Sequence, residues 1–242
     1  VIPINIIKDI IPKGSRNRPE GKNAMRYITI HDTGNTAKGA GAKNHASYIK
    51  GISAAAIPVS WHYSVDDKEI YQHLPEDETA YHAGDGTGSG NTASIGIEIC
   101  INRDGDIMMA TVNAAALAAD IAARRYIPIE NIVQHNYWSK KNCPQMLRSG
   151  IPFKWNEFIE RVIVRMRDIE GVEDDTLTEY IIGGLILKGY IRTPEYWHEV
   201  LTKDEYGQGI RSGHVQVKKE YLQILLKRVV DSGGKFEGTF TS

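Results

Sequence analysis

The chain has 242 residues, 41% hydrophobic and 24% charged, which are ordinary values for a globular protein and exclude disordered and low-complexity classes. Its 29 basic and 30 acidic residues give a formal net charge of -1, so no global field draws it to nucleic acid or to an anionic membrane. Two cysteines are too few for a disulfide framework, and no apolar run is read as reaching the roughly 18 residues of a membrane span. The apolar start, Val1–Ile11, carries Asp9 and lacks a basic n-region and a small-residue cleavage site, so it does not read as a secretory signal.

In chain order, a turn-rich segment at Gly14–Gly21 leads into a predicted strand at Arg26–His31, rich in β-branched and aromatic residues. A short helix is predicted over Gly41–Lys50. Trp61–Val65 and Glu69–Leu74 flank Asp66-Asp67-Lys68 as a hairpin, and Ser94–Ile101 reads as a further strand. Asn102–Asp106 reads as a hairpin tip with Asp104-Gly105 as its tight turn. Thr111–Arg125 places Ala114, Leu117, Ala118, Ile121 and Ala122 at helical spacing, with Thr111 as N-cap. Ile129–Gln134 reads as a last short strand and Lys154–Arg167 as a helix.

The composition shifts near residue 169. Residues 1–168 hold 20 basic and 18 acidic residues, both cysteines and six of the eight histidines; residues 169–242 hold 9 basic and 12 acidic residues. The reading is a mixed α/β domain over 1–168, a linker over 169–176 that includes the acidic stretch Ile169–Asp175, and a small all-α domain over 177–242. Helical patterns in the last part are Leu177–Lys188, a segment opening at Pro194, and Val215–Val230.

The first part also carries a candidate metal site. His31 ends a predicted strand and is followed by a loop, a rigid place from which to aim a ligand. His135 is followed eight residues later by Cys143, with Pro144 next in the chain. Imidazole and thiolate suit zinc, and three protein ligands with one open position is the pattern of a catalytic site. Spacing alone leaves open that each of the three is a packing or surface residue. Cys100 reads as a small buried hydrophobe, and His45 and His73 as surface or packing residues. Asp85–Asn91 does not follow a strand and open a helix, so it is not a phosphate cradle. Asn102, Asp104 and Asp106 open like a calcium loop, but Ile107 stands where glycine is needed.

Five segments carry a resemblance: Tyr27–Asn35 (YITIHDTGN), Ser60–Asp66 (SWHYSVD), Ala80–Gly84 (AYHAG), Asn91–Glu98 (NTASIGIE), and Gln134-His135 with Lys141–Pro144 (KNCP). In this order they resemble the motifs of the type 2 N-acetylmuramoyl-L-alanine amidases, over about residues 20–150. That family includes phage endolysins, bacterial autolysins and the peptidoglycan recognition proteins of animals. A cysteine as third ligand makes the endolysin and prophage branch the best match. The resemblance implies a mixed central β-sheet flanked by helices, one zinc ion (Zn2+) per chain on His31, His135 and Cys143, and bacterial peptidoglycan as substrate. The reaction implied is cleavage of the amide between N-acetylmuramic acid and L-alanine.

Within that reading Glu98 has the place of the general base and acid. Alternation puts it on the strand face shared with Gly96 and Cys100, opposite Ile95, Ile97 and Ile99. The residue pattern admits Lys140 or Lys141 as a cation for the oxyanion; the family spacing selects Lys141. Asp32, Thr33, Trp61, His62, Tyr81 and His82 are substrate-binding candidates, with two alternatives open. Trp61 and Tyr81 serve equally as core residues, and His62 or His82 as groups that orient a ligand. Ile181–Trp197 is similar to the helical modules that follow the catalytic domains of clostridial and bacillus-type lysins. This implies a secondary cell-wall polymer as a further partner, with Tyr190, Tyr196, Trp197 and Tyr206 as contacts, or else a dimer interface. Localisation is expected in a host cytoplasm without a signal peptide, with action on the wall after release. The rival readings are a cysteine hydrolase using Cys143 and His135, and a non-catalytic peptidoglycan-binding module.

Overall fold

Two six-residue strands with apolar residues at every second position set the frame: β2 (Tyr27–Asp32) and β5 (Ser94–Ile99). Alternation sends Ile28, Ile30, Ile95, Ile97 and Ile99 to one face and leaves Thr29, His31, Gly96 and Glu98 on the other. The chain is described by a computed structural model, which covers residues 5–170. The other strands are short: β1 (Ile6–Lys8), β3 (Tyr63–Val65), β4 (Ile70–Gln72) and β6 (Ile132–Gln134). Their order in the sheet is β1-β4-β3-β5-β2-β6. All neighbours run parallel except β3 and β4, which form the expected hairpin with Val65 opposite Ile70.

The hairpin turn is held by a single carboxylate. Asp66 accepts from the backbone N–H groups of Lys68 and Glu69, at 2.8 and 2.7 Å. Its other oxygen accepts from Ala42 N–H at 2.7 Å, which caps helix α1 (Ala42–Lys50) from outside its own segment. A four-residue helix, α2 (Ile52–Ala55), follows.

The isoleucine face is covered by α4 (Ile107–Arg125), which the short α3 (Ser89–Thr92) and β5 precede. Ala114, Leu117, Ala118 and Ile121 of α4 share one buried cluster with the β2 and β5 isoleucines, with Val65, and with Phe158 and Val162 of α7 (Trp155–Glu170). Small alanine side chains let α4 lie close to both the sheet and α7. Each fully buried Ile contributes about 1.5–3 kcal/mol. By length and composition α4 is apolar enough to cross a bilayer, contrary to the reading of the sequence. In the fold half of that stretch is buried, against the sheet and α7.

Besides shifts of one or two residues at strand ends, several boundaries differ from expectation. Helix α4 begins four residues early because Asp106 is its N-cap, accepting from Met109 N–H at 3.1 Å. Thr111 is therefore inside the helix, buried, with its hydroxyl donating to the Ile107 carbonyl. Asn102–Asp106 consequently joins a strand to a helix and is not a hairpin tip. Residues Ile129–Asn131 form a 3-10 turn ahead of β6, and α7 extends to Glu170, two residues into the stretch read as linker. Two short helices, α5 (Asn136–Ser139) and α6 (Gln145–Ser149), lie between β6 and α7.

The chain divides into the units Val1–Glu170 and Gly171–Ser242. The expected small all-α domain over 177–242, its wall-polymer contacts and its alternative dimer interface lie outside the described residues.

Candidate metal centre and active site

The polar face of the sheet concentrates the candidate residues in one row. His31 of β2 is paired with Glu98 of β5, and Glu98 with Ser64 of β3. On the other side Ile30 is paired with Gln134, so His135 follows at the end of β6 and donates its N–H to the Ile30 carbonyl. Residues 104 positions apart in sequence thus stand side by side: His31 Nδ1 and His135 Nδ1 are 3.0 Å apart. Cys143 Sγ lies 3.8 Å from His31 Nδ1. One ligand atom from each of His31, His135 and Cys143 lies within 4.8 Å of the others, and all three residues are buried.

The loop that carries Cys143 is closed on itself. Asn136 donates from its N–H to the Cys143 carbonyl and from its amide to the Lys141 carbonyl, at 3.0 and 2.9 Å. Asp32 fastens the far side: its carboxylate accepts from Met146 N–H at 2.8 Å, at the start of α6. Burial pushes the Asp32 carboxyl up, against the bonds it accepts from Met146 and Gln145. Asp32 is thus placed as a tie between the His31 strand and the Cys143 loop.

Both imidazoles are oriented through their outer nitrogens. His135 Nε2 donates to the Ala83 carbonyl at 2.9 Å, which leaves Nδ1 as a lone pair facing the centre. His31 Nε2 is 2.9 Å from His82 Nδ1. Burial lowers the His31 value well below the usual range and lowers that of His135, so both rings are neutral, the form that binds metal. Zinc–nitrogen and zinc–sulfur lengths with a tetrahedral angle require donor separations of about 3.3 Å for N···N and about 3.6 Å for N···S. The observed 3.0 and 3.8 Å lie close to these. Two facing imidazole nitrogens and a buried thiol form a donor set that fits a zinc ion, with Glu98 beside it.

Glu98 Oε1 is 3.8 Å from His31 Nδ1. Burial pushes its carboxyl up to about 8; Asp32 adds to the rise and Lys141 opposes it. Lys141 is exposed beside the centre, and its charge is felt at His31, Asp32, Glu98, His135 and Cys143. Lys140 is the left-handed residue that ends α5, with φ 63°.

The other candidates separate. His62 is fully buried, accepting from Gly96 N–H at Nδ1 and donating from Nε2 to the Glu78 carbonyl, both at 2.9 Å. Burial lowers its value to about 4, so it is a neutral bracket with no ring nitrogen left over. Trp61 is packed with Ile11, Ile49, Leu74 and Ala80, and its indole N–H donates to Ser64 Oγ at 2.8 Å. His45 and His73 pack edge-on against it. Thr33 and Tyr81 are half-buried, at the ends of β2 and of the strap that carries His82. Cys100 is buried, as expected of a small hydrophobe.

Gly96 and Gly84 have specific reasons. A Cβ at Gly96 would lie 2.9 Å from the His82 ring, so only glycine lets that ring rest on the strand. Gly84, at φ 71°, turns the chain directly after the Ala83 carbonyl that holds His135. Reading the sequence missed Asn91. Its amide oxygen accepts the N–H groups of both His82 and Ala83, each at 2.8 Å. The one available signal was its place in the NTASIGIE segment.

The model of the N-acetylmuramoyl-L-alanine amidase family matches residues 21–146, just over half of the chain and all of this centre. The chain belongs to that family. It is 54% identical over 144 residues to the N-acetylmuramoyl-L-alanine amidase XlyA of Bacillus subtilis (strain 168), covering 60% of this chain and 48% of that protein. It is 48% identical over 160 residues to CwlH of the same organism, another N-acetylmuramoyl-L-alanine amidase, covering 66% and 61%. The chain thus spans about half to three fifths of the length of these two relatives. The solved structure of the catalytic domain of XlyA superposes with a TM-score of 0.62 at 50% identity, covering 66% of this chain and 99% of that one. The fold, though not more, also matches the Staphylococcus aureus hydrolase AmiA, at 17% identity and a TM-score of 0.55. As a family member the chain has the expected mixed sheet flanked by helices.

Proposed function

We propose that residues 5–170 form a peptidoglycan hydrolase that cleaves the amide between N-acetylmuramic acid and L-alanine, with one zinc ion held by His31, His135 and Cys143. The observation that carries this is the buried His/His/Cys set with its ligand atoms within 4.8 Å of one another, and Glu98 beside it, inside an amidase-family domain. Zinc bound there supplies a Lewis acid for the amide carbonyl and lowers the pKa of a water toward about 7.

Glu98 takes the proton of the attacking water as the new C–O bond forms. It returns that proton to the L-alanine nitrogen as the C–N bond breaks, which leaves a free lactyl carboxylate and a free amine. Its partnerless Oε2 is the oxygen available for this exchange. The Lys141 ammonium stabilises the negative charge that develops on the carbonyl oxygen. Asp32, His82 and Ala83 hold the ligands in place. Thr33 and Tyr81 are retained as substrate contacts, whereas Trp61 and His62 support the strands from within the fold.

The cysteine-hydrolase reading is disfavoured by geometry, because Cys143 Sγ has His31 rather than His135 as its hydrogen-bonding neighbour. Mass analysis of digested cell walls tests the proposal. Free glycan strands with peptides beginning at L-alanine are expected, and new reducing sugar ends would overturn it. Chelation is expected to stop the reaction and added zinc to restore it, whereas a cysteine hydrolase would continue without metal.

A further inference from the structure

We propose that Asn91 is the positioning residue for the two histidine ligands of the metal centre, setting both imidazoles through one oxygen atom. This rests on the zinc reading above. Asn91 is buried within α3, directly after the loop that begins at Asp85. Its amide nitrogen donates to the Gly86 carbonyl at 2.9 Å, which fixes the flip of the group and turns Oδ1 toward the strap. Oδ1 accepts two consecutive main-chain N–H groups, from His82 and from Ala83, each at 2.8 Å.

These two residues are the outer partners of the two histidine ligands. The His82 ring meets His31 Nε2, and the Ala83 carbonyl takes the proton of His135 Nε2. With a cation at the centre His31 turns its lone pair inward at Nδ1, and its Nε2–H then donates to His82 Nδ1. A side chain that touches neither ligand therefore orients both of them. Without its oxygen, two adjacent buried N–H groups lose their acceptor and the strap must shift to find others. Such a shift carries the His82 ring and the Ala83 carbonyl together.

The surroundings leave little slack. The Gly90 N–H is held by Asp85 at 2.7 Å, and a Cβ at Gly90 would stand 2.4 Å from Ala83 Cβ. The strap is thus packed on one side and bonded on the other, so the Asn91 oxygen sets its height above the sheet.

The test is a zinc titration of the metal-free full chain against a chromophoric chelator, for wild type, Asn91→Ala and Asn91→Asp. Wild type reports on the zinc reading itself: absence of binding there overturns that reading and this proposal with it. Given wild-type binding, Asn91→Ala is expected to hold zinc about 10- to 100-fold more weakly. Asn91→Asp keeps an oxygen toward the strap but loses the donor to the Gly86 carbonyl, so a smaller loss than in Asn91→Ala is expected. A merely structural role would lower the unfolding midpoint of the metal-free protein and leave the zinc-induced rise in that midpoint unchanged. The proposal requires the rise itself to shrink in Asn91→Ala. Zinc affinity of Asn91→Ala equal to wild type, or an equal loss in Asn91→Asp, overturns it. If Asn91→Ala does not fold, Asn91→Ser, whose hydroxyl stops one atom short, takes its place with the same expectations.

Discussion

One face of the sheet is held by area and the other by direction. Ile28, Ile30, Ile95 and Ile97 lie under α4 and α7, and their contribution scales with the surface removed from water. One residue further along the same strands, Thr29 and His31 are equally buried but are held by individual hydrogen bonds. An apolar contact tolerates a small shift in its neighbour. A histidine lone pair aimed at a cation does not, because its orientation depends on a bond made by its other nitrogen. The two faces are therefore expected to fail differently, the first in stability and the second in chemistry.

Glu98→Gln is the largest expected break in this contrast. Removing the proton acceptor should lower kcat by about 10²–10⁴-fold while the unfolding midpoint stays near that of wild type. Steady-state kinetics beside a thermal melt check it, and a loss of less than tenfold would remove Glu98 from the chemistry. Ile97→Ala, on the adjacent position of β5, is the mirror experiment. It should cost about 2–5 kcal/mol in denaturant unfolding and leave kcat of the folded fraction within a few-fold. If it lowers kcat as Glu98→Gln does, the two faces are not separable.

Lys141→Ala sharpens the polar side. The side chain is exposed, so the low end of an oxyanion effect is expected, about 10² in kcat with KM little changed. Weaker binding at unchanged turnover would assign it to substrate capture instead.

The smallest expected effect concerns a charge placed on the apolar side. Glu76 accepts from Tyr63, a member of the apolar cluster, and from Arg124 and Arg125 at the end of α4. Burial alone would raise its carboxyl, but these bonds outweigh it and hold the value at about 2, below the ordinary 4.5. The folded value is the lower one, so the stabilisation is complete above about pH 4.5 and is lost as pH falls from there toward 2. Both arginines are more than a third exposed, which discounts the gain to about 2 kcal/mol. Glu76→Gln should therefore unfold more easily than wild type at pH 7, with the gap narrowing below about pH 4.5 and closing near pH 2. A gap independent of pH would mean that Glu76 acts by shape alone.

Much of the frame was legible because period-two and helical patterns are local. Tyr27–Asp32, Ser94–Ile99 and the alanine-rich helix follow from such patterns, and motif order named the three candidate ligands that the fold brings together. The start of α4 was misplaced because Asp106 suits a turn and a helix N-cap equally well, and only its bond to Met109 decides. His62 and His82 read alike in sequence, yet one spends both nitrogens on the main chain and the other meets His31. That distinction depends on which carbonyl or N–H a loop delivers, and loops carry no period to read. Asn91 was overlooked for the same reason: its partners are main-chain groups eight and nine residues earlier.

The separation of the ligands along the chain sets a schedule. His31 leaves the ribosome 112 residues ahead of Cys143. At typical synthesis rates of 5–20 residues per second, that is roughly 6 to 22 s. During that interval the growing chain carries at most two of the three donors. The full His/His/Cys set is therefore completed in one late step of synthesis.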